Sequence, residues 1–415
     1  MTNSNLNHTI DHLFRNEYGK LISLLTHKYG VSFLEQIEDA AQDTFLKAMQ
    51  VWGYQSIPDN PTAWLFRVAQ NRLIDALRRD KKSDLVGDKI FPKEKTNEEN
   101  EVVLEDAIED SQLNMIFACC HPTLSQEYQI ILSLKLMGGF SNKELADALL
   151  KKEDAIAKSF TRAKKQFREK VQFLQIPVQM GLQSRLFQVL RVIYLLFSEG
   201  YAATTGAQLL KRDICYEALR LALLLRKNKY CSHPNLEALI ALMCFHASRF
   251  DARLDKEGNL VSLEHHDRSL YNQELIRIGI HHLEQAGTKD RTPSHYHLEA
   301  ARSYYHSTTS SFGKTDWKSI LYLYDVQLKQ QYSPMVALNR IVPYGKVHGP
   351  KNALKELSNL EKQTDFSTSG LFYAIWAELL KEKGDPNFET FLKKAIALSE
   401  NDLVKQHLEK KLKSS

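Results

Sequence analysis

Basic side chains between residues 151 and 170 have the type and spacing needed to bind a polyanion. The stretch holds eight Lys and Arg residues against three acidic ones, a net charge of +5. Lys158, Arg162 and Lys165 stand three or four residues apart, so they share one face of a helix. Cations on one face can neutralise phosphates and release counterions, the main sequence-independent contribution to DNA binding. The alternative interpretation is a solvated basic helix in an ordinary bundle.

The segments around these cations predict two short amphipathic helices joined by a tight turn. Ser141 and Glu144 form a capping box, in which each side chain bonds the backbone amide of the other, so a helix begins there. Apolar residues then recur at helical spacing on both sides of a short break; they are Leu145, Ala148 and Leu149, then Ile156, Phe160, Ala163 and Phe167. This pattern is typical of a helix-turn-helix, whose second helix enters the DNA major groove.

Residues 10–82 predict a second compact helical unit. The segment 37–52 has one apolar face and an opposite acidic and polar face formed by Glu38, Asp39, Gln42 and Asp43. Asn60 is a suitable N-cap for a helix with Pro61 in its first turn, and that helix ends in Arg78, Arg79, Lys81 and Lys82. Tyr54, in the loop between the two helices, could stack on an unpaired base. Trp52, Trp64 and Phe66 are better explained as core residues.

Composition limits the class of protein. The 415 residues with 43% hydrophobic content predict roughly two to four folded domains. The polar start of the chain does not resemble a signal peptide, and no apolar run reaches the length of a membrane span. We therefore expect a cytoplasmic protein. Residues 83–110 carry a net charge of −7 and few large apolar residues, which predicts a flexible acidic linker.

Candidate metal and catalytic clusters are weak. Cys119, Cys120 and His121 lack the spacer of a zinc site. The run from Glu264 to Asp267 (Glu-His-His-Asp) holds the right residue types for proton transfer, but consecutive residues point in different directions. We expect no metal, no cofactor and no enzymatic activity, and a structural pairing of Asp267 with Arg268.

The chain beyond residue 176 predicts further helices, so the expected fold class is all-α. Their predicted ranges are 184–197, 213–227, 235–250, 272–286, 317–330, 334–344, 350–360 and 371–382, followed by a helical tail from residue 388. Gly349 and Gly384 stand 35 residues apart, close to the period of about 34 residues of tetratricopeptide repeats. Stacked helix pairs and an irregular bundle both remain possible.

Several stretches together resemble one protein family. EDAAQDTFLKAMQVW, PDNPTAWLFRVAQNRLIDALRR and LSLKLMGGFSNKELADALLKKEDAIAKSFTRAKKQFR occur in that order. The order resembles an extracytoplasmic-function RNA polymerase sigma factor. FACCHP, LLFSEGY, DICYEALRLALLL and LVSLEHHDRSLYNQELIRIG resemble the subgroup with a tetratricopeptide-like extension that controls activity. The resemblance implies domains at 1–82 and 111–175, a linker at 83–110, and an extension in two parts, 176–290 and 291–415.

The resemblance also implies partners and contact residues. The partners would be core RNA polymerase, through its β′ clamp helices and β flap, promoter DNA, and a protein or ligand of the extension. Core polymerase contacts would be Asp39, Gln42, Asp43 and Phe45. Contacts with the promoter element near the start site would be Tyr54, Asn60, Asn71, Arg72, Arg78 and Arg79. Contacts with the upstream element would be Lys158, Thr161, Arg162 and Lys165.

The chain departs from the family pattern in two places. The turn is Leu150-Lys151-Lys152, and Ala155 and Ser159 stand where the family often has Thr and Arg, so the bases read stay open. The alternative function is a cytosolic helix-turn-helix regulator that senses a ligand through its helical extension. Such a regulator would not need the helices of residues 37–52 and 61–82.

Overall fold

A computed structural model describes residues 17–52, 54, 57–79, 100–149, 151–171, 174, 180–201, 212–287, 292–399 and 401–413. Within these ranges every regular element is helical, apart from one isolated bridge between Leu254 and Leu260. The all-α prediction is therefore confirmed. No helix in these ranges is long and apolar enough to cross a membrane. The predicted linker residues 83–99 lie outside the described residues.

The helices form two compact units. The first contains Met1–Phe197 and Tyr216–Ser232, and the second contains Ser198–Cys215 and His233–Ser415. The predicted domain boundary at residue 175 stays a prediction.

The first unit begins with three helices: α1 (17–29), α2 (Leu34–Trp52) and α3 (Pro61–Arg79). Asn60 Oδ1 accepts a hydrogen bond from the amide of Ala63 at 2.9 Å, so the predicted N-cap of α3 is confirmed. Thr62 Oγ1 donates to Glu17 at 2.7 Å and ties α3 to α1. The apolar faces of α2 and α3 pack together in the core; the buried residues are Ile37, Ala41, Phe45, Ala48 and Trp52 on α2, and Leu65, Ala69, Leu73 and Leu77 on α3.

Four helices follow: α4 (Asn100–Cys119), α5 (Gln126–Leu136), α6 (Asn142–Ala148) and α7 (Glu153–Lys170). The capping box is confirmed, because Glu144 N donates to Ser141 Oγ at 3.1 Å and Ser141 N donates to Glu144 at 2.9 Å. The linker prediction is wrong for residues 100–110, which form the start of α4. Ile108 is buried there, and this apolar anchor offsets the ordering cost that the acidic composition suggested.

Helices α8 (Met180–Tyr201) and α9 (Arg212–Lys227) complete the first unit, although the end of α8 and the first residues of α9 belong to the second. Arg220 donates to Gln112 on α4 at 2.6 Å, and Lys227 pairs with Glu109 at 2.9 Å. On α8, Arg191 donates to Gln126 of α5 at 3.1 Å. Helices α8 and α9 are thus bound to α4 and α5.

The second unit contains α10 (Pro234–Ala247), α11 (Gln273–Ala286) and α12 (His295–Thr308). The sequence pattern does not predict α12, because buried polar residues such as Arg302 and Ser303 interrupt its apolar period. Ser294 caps it, in a box completed by His297. Between α10 and α11 the chain makes short 3₁₀ turns, including Leu263–His265 and Arg268–Leu270.

Six further helices follow in the second unit: α13 (Trp317–Gln330), α14 (Pro334–His348), α15 (Pro350–Gln363), α16 (Gly370–Lys383), α17 (Phe388–Ala397) and α18 (Asp402–Lys413). Each packs against its neighbour in sequence. Gly349 and Gly384, with φ of 84° and 77°, follow α14 and α16. The 35-residue spacing therefore marks the ends of alternate helices, where a positive φ favours glycine.

Candidate nucleic-acid and polymerase interface

Helix α7 presents one basic and polar face to solvent. Its apolar residues, Ile156, Phe160, Ala163 and Phe167, are buried. The four predicted DNA contacts, Lys158, Thr161, Arg162 and Lys165, are all exposed and lie between those apolar positions. Glu153 and Asp154 occupy the first turn, where carboxylates interact favourably with the helix dipole. The structure therefore brings the four predicted residues together on one surface.

Helix α5 holds the turn that leads into α7. Lys151 N donates to the carbonyl oxygen of Ala146 at 2.8 Å, which continues the backbone bonding across the turn. Glu127 on α5 accepts from Lys151 Nζ at 2.8 Å and from Ser159 Oγ at 3.2 Å. The bond from Lys151 is the main cause that lowers the pKa of Glu127. Lys151, which departs from the family pattern, thus fixes the turn to α5 through its side chain.

The predicted polymerase contacts on α2 divide into exposed and buried residues. Asp39, Gln42 and Asp43 are exposed. Phe45 is only 4% exposed and lies against Tyr18, with ring centroids 6.5 Å apart. Its aromatic side chain packs in the core and cannot lie on a docking surface in this arrangement. We call the exposed trio Asp39, Gln42 and Asp43 the α2 surface.

Three of the predicted promoter contacts near the start site lie beside the α2 surface. A cavity of about 510 Å³ between α2 and α3 is lined by Asp39 and Asp43 and by Asn71, Arg72 and Arg79. Arg72 Nη1 lies 2.8 Å from Asp43 Oδ2. A residue predicted to bind polymerase is therefore paired with one predicted to bind DNA, and the two sites adjoin.

The other predicted promoter contacts are not in that cavity. Tyr54 is 96% exposed, as a base-stacking residue requires. Arg78 is exposed at the end of α3. Asn60 differs, because its side-chain oxygen is used as the N-cap of α3. Its structural role is sufficient to explain its presence.

Two ion pairs join α7 to α2, and sequence reasoning missed both. Lys164 Nζ lies 2.6 Å from Glu38 Oε2, and Arg168 Nη1 lies 3.1 Å from Glu35 Oε2. The sequence pattern places Glu38 on an acidic and polar face and indicates no role for Glu35. Their partners stand about 130 residues away in sequence, so no local pattern indicated the pairs. A cavity of about 560 Å³ beside them is lined by residues of both helices, among them Asp39, Gln42 and Thr161.

The Lys164–Glu38 pair is largely removed from water. The side chains are 16% and 8% exposed. Burial raises the pKa of Glu38, while the ammonium of Lys164 lowers it. Lys164 and Lys135 also lie over the ring of Phe160, at 4.7 and 5.2 Å from its centroid. Cations, ring and carboxylate therefore form one packed cluster between the two helices.

The weak metal and catalytic candidates have structural roles. Cys119 and Cys120 are buried, and burial raises the pKa of the Cys120 thiol to about 12. Asp267 accepts from Ser269 N at 3.0 Å, whereas Arg268 donates to the carbonyl oxygen of His306 at 2.7 Å. The prediction that Asp267 and Arg268 pair is wrong, because each caps a different backbone segment. Among the described residues, no three His, Cys, Asp or Glu side chains group as metal ligands.

Comparison with known proteins identifies two regions of the chain. Residues 13–83 match the model of sigma-70 region 2. Residues 185–287 match a family of unknown function (DUF6596). The first match supports a sigma factor and implies core RNA polymerase and promoter DNA as partners. No solved structure matches the chain.

The chain also resembles a bacterial protein over nearly its full length. It is 32% identical to an uncharacterized protein of Rhizobium meliloti (strain 1021), over 89% of this chain and 87% of that protein. The chain belongs to the same family as that protein.

Proposed function

We propose that this protein is a sigma factor of the extracytoplasmic-function type, with a carboxy-terminal extension that modulates its activity. It would bind core RNA polymerase in the cytoplasm, direct it to particular promoters and help open them, with no catalytic activity of its own. The α2 surface would contact the β′ clamp helices. The exposed face of α7 would read the upstream promoter element, while Tyr54 and the basic end of α3 would contact the element near the start site.

One observation carries the proposal. A single unit combines a sigma-70 region 2 match, whose α2 surface is acidic and exposed, with the helix pair α6 and α7, and α7 exposes Lys158, Arg162 and Lys165. Acidic side chains suit a basic protein surface, and the cations suit DNA phosphates. Both surfaces are needed by a protein that joins polymerase to a promoter.

The deciding experiment is transcription in vitro with core RNA polymerase on DNA taken from upstream of the gene for this protein. We expect promoter-directed transcripts only when the protein is added. Asp39→Lys should abolish both these transcripts and co-purification with core polymerase, because the reversed charge opposes a basic partner. Glu361→Lys, the same reversal at an exposed position on α15, is the matched control and should behave as wild type.

A transcription regulator that never acts as a sigma subunit is the second candidate. The ion pairs of Glu35 and Glu38 with α7 favour it, because these acids of α2 already have partners within the protein. Such a regulator would bind promoter DNA by itself and would not bind core polymerase in place of a sigma factor. DNA binding without any core-dependent transcript would support this candidate and refute the sigma-factor proposal.

A further inference from the structure

The second unit contains a cavity of about 550 Å³ whose wall is strongly basic. We call it the arginine cavity. Its charged lining residues are Arg249 and Arg253, which follow α10, and Arg302 and Glu299 on α12. Glu299 is the one carboxylate among the described lining residues, so the wall has a net charge of about +2. Volumes of roughly 300–1,000 Å³ are typical of sites for small molecules.

The three guanidinium groups bond neutral partners. Arg249 donates to the carbonyl oxygen of Phe245 at 3.3 Å and to His246 Nδ1 at 2.8 Å. Arg253 donates to the carbonyl oxygen of Tyr201, and Arg302 donates to Gln327 Oε1 at 2.8 Å. In the part of the chain that the structure describes, none of the three lies within ion-pairing distance of a carboxylate. Such partners orient a guanidinium without cancelling its charge.

These arginines are also held in fixed positions, and two of them are buried. Arg249 is 4% exposed and Arg302 is 9% exposed. The guanidinium of Arg253 stacks 3.9 Å from the ring centroid of Tyr201, and that of Arg302 lies 4.2 Å from the centroid of Tyr324. Burying charge without an opposite charge is costly. An anion would therefore stabilise these three arginines. Because their side chains are already ordered, little conformational entropy would be lost when the anion binds.

Three histidines in the wall respond to the same positive field. Burial and the nearby arginines lower the pKa of His266 to about 4 and that of His306 to about 3. The pKa of His246 is lowered for the same reasons. All three imidazoles are therefore neutral at pH 7 and can donate or accept hydrogen bonds. His306 Nδ1 and the neighbouring Arg268 Nη2 lie buried without a hydrogen-bond partner among the described residues.

We propose that the arginine cavity binds a small molecule that carries a phosphate group, held by Arg249, Arg253 and Arg302. A phosphate monoester is dianionic near neutral pH, which matches the net charge of the wall. Guanidinium groups form bidentate bonds with its oxygens. The cavity is larger than inorganic phosphate, so an organic group would lie beside Tyr201 and Tyr324.

The experiment is calorimetric titration of the full-length protein with inorganic phosphate, phenyl phosphate and succinate, each at the same ionic strength. We expect phenyl phosphate to bind at one site per chain, and more tightly than inorganic phosphate, because its ring adds contact area. Succinate tests whether the site takes carboxylates instead. Tighter binding of succinate than of either phosphate, or no saturable binding of any probe, would overturn the proposal.

Variants assign the binding to this cavity. Arg253→Gln and Arg302→Gln should each weaken the binding of phenyl phosphate at least about tenfold, the size expected when one charged hydrogen-bonding partner is lost. Arg277→Gln removes an exposed arginine of α11 that does not line the cavity, and should leave the affinity unchanged. Equal affinities in all three variants would place the binding elsewhere and refute the site.

A second readout keeps the test valid if a glutamine variant fails to fold. Bound phosphate would offset the field of the arginines, so the pKa of His306 should rise in the wild-type protein. The imidazole resonances, followed by NMR against pH with and without phenyl phosphate, report this rise directly. An unchanged titration of His266 and His306 at a saturating concentration of the probe would contradict the proposal.

Discussion

Lys164 of α7 lies 2.6 Å from Glu38 of α2, and this contact binds α7 to the helix that carries the α2 surface. Arg168 and Glu35 repeat the contact one turn along α7. The proposed function needs α2 and α7 to reach polymerase and promoter DNA at the same time. If polymerase separates α2 from α7 when it binds, it competes with the contacts between the two helices.

The first prediction concerns the stability of this pair. Lys164→Ala leaves the carboxylate of Glu38 buried without its ammonium partner, so we expect the free energy of unfolding to fall by about 3 kcal/mol. Lys165→Ala, at the next and exposed position, should change it by less than about 0.5 kcal/mol. Urea unfolding followed by circular dichroism measures both. Equal stabilities of the two variants would show that the pair contributes nothing to the fold.

The second prediction concerns the contact between α1 and the end of α5. A Cβ atom on Gly19 of α1 would lie 2.1 Å from the carbonyl oxygen of Met137, just after α5. Gly19→Ala should therefore push α1 and α5 apart. Because α5 packs against α7, we expect this change to loosen the packing of α7 against α2. We call the form in which α7 lies against α2 the closed arrangement, and the form in which they separate the open form. If only the open form binds core polymerase, the apparent affinity for polymerase rises with the population of the open form. We expect the Gly19→Ala variant to bind core polymerase at least about threefold more tightly than wild type.

His27→Ala is the matched control for Gly19→Ala, because His27 is exposed on the same helix. Affinities for core polymerase can be compared by fluorescence anisotropy with labelled protein, after circular dichroism has shown that each variant is folded. An unchanged or lower affinity of the folded Gly19→Ala variant would mean that the closed arrangement does not limit polymerase binding.

Local sequence patterns predict most of the helices and their caps, but they do not predict the contacts between residues far apart in the sequence. The Ser141 capping box and the Asn60 cap each involve groups three residues apart, so sequence alone sufficed. The Lys164–Glu38 pair joins residues 126 positions apart, and no periodicity encodes it. Helix α12 was missed because buried polar residues, such as Arg302 and Ser303, interrupt its apolar pattern. These interruptions are the residues that form the wall of the arginine cavity.

The third prediction concerns promoter reading by α7. If Arg162 contacts a base, Arg162→Ala should cost about 1–3 kcal/mol of binding free energy and relax the preference at one base pair. If it contacts only phosphate, binding should weaken on every sequence and the salt slope should fall by about one. Competition with single-base promoter variants separates these results. Lys229→Ala, an exposed cation on a 3₁₀ turn, is the control, and identical behaviour of both variants would refute the assignment of α7.

The fourth prediction concerns the dependence of stability on pH. His306 has a pKa of about 3 in the folded protein, below its ordinary value of 6.5, because of burial and the nearby Arg249, Arg268 and Arg302. The unfolded chain therefore binds a proton at this residue below pH 6.5, whereas the folded chain does not. The stability that the folded protein gains by keeping His306 neutral is fully present above about pH 6.5. It is lost as the pH falls towards about 3, because the unfolded chain then binds a proton that the folded chain does not.

We therefore expect the free energy of unfolding of the wild-type protein to fall between about pH 7 and pH 5. His306→Gln cannot take up a proton, so its free energy of unfolding should fall less over the same range. His266 and His246 titrate in the same field, so part of the loss should remain. His281→Gln removes an exposed histidine of α11 and should keep the wild-type slope. Urea unfolding at both pH values measures the slopes, and a His306→Gln slope equal to that of wild type would show that His306 is not held neutral by the arginines.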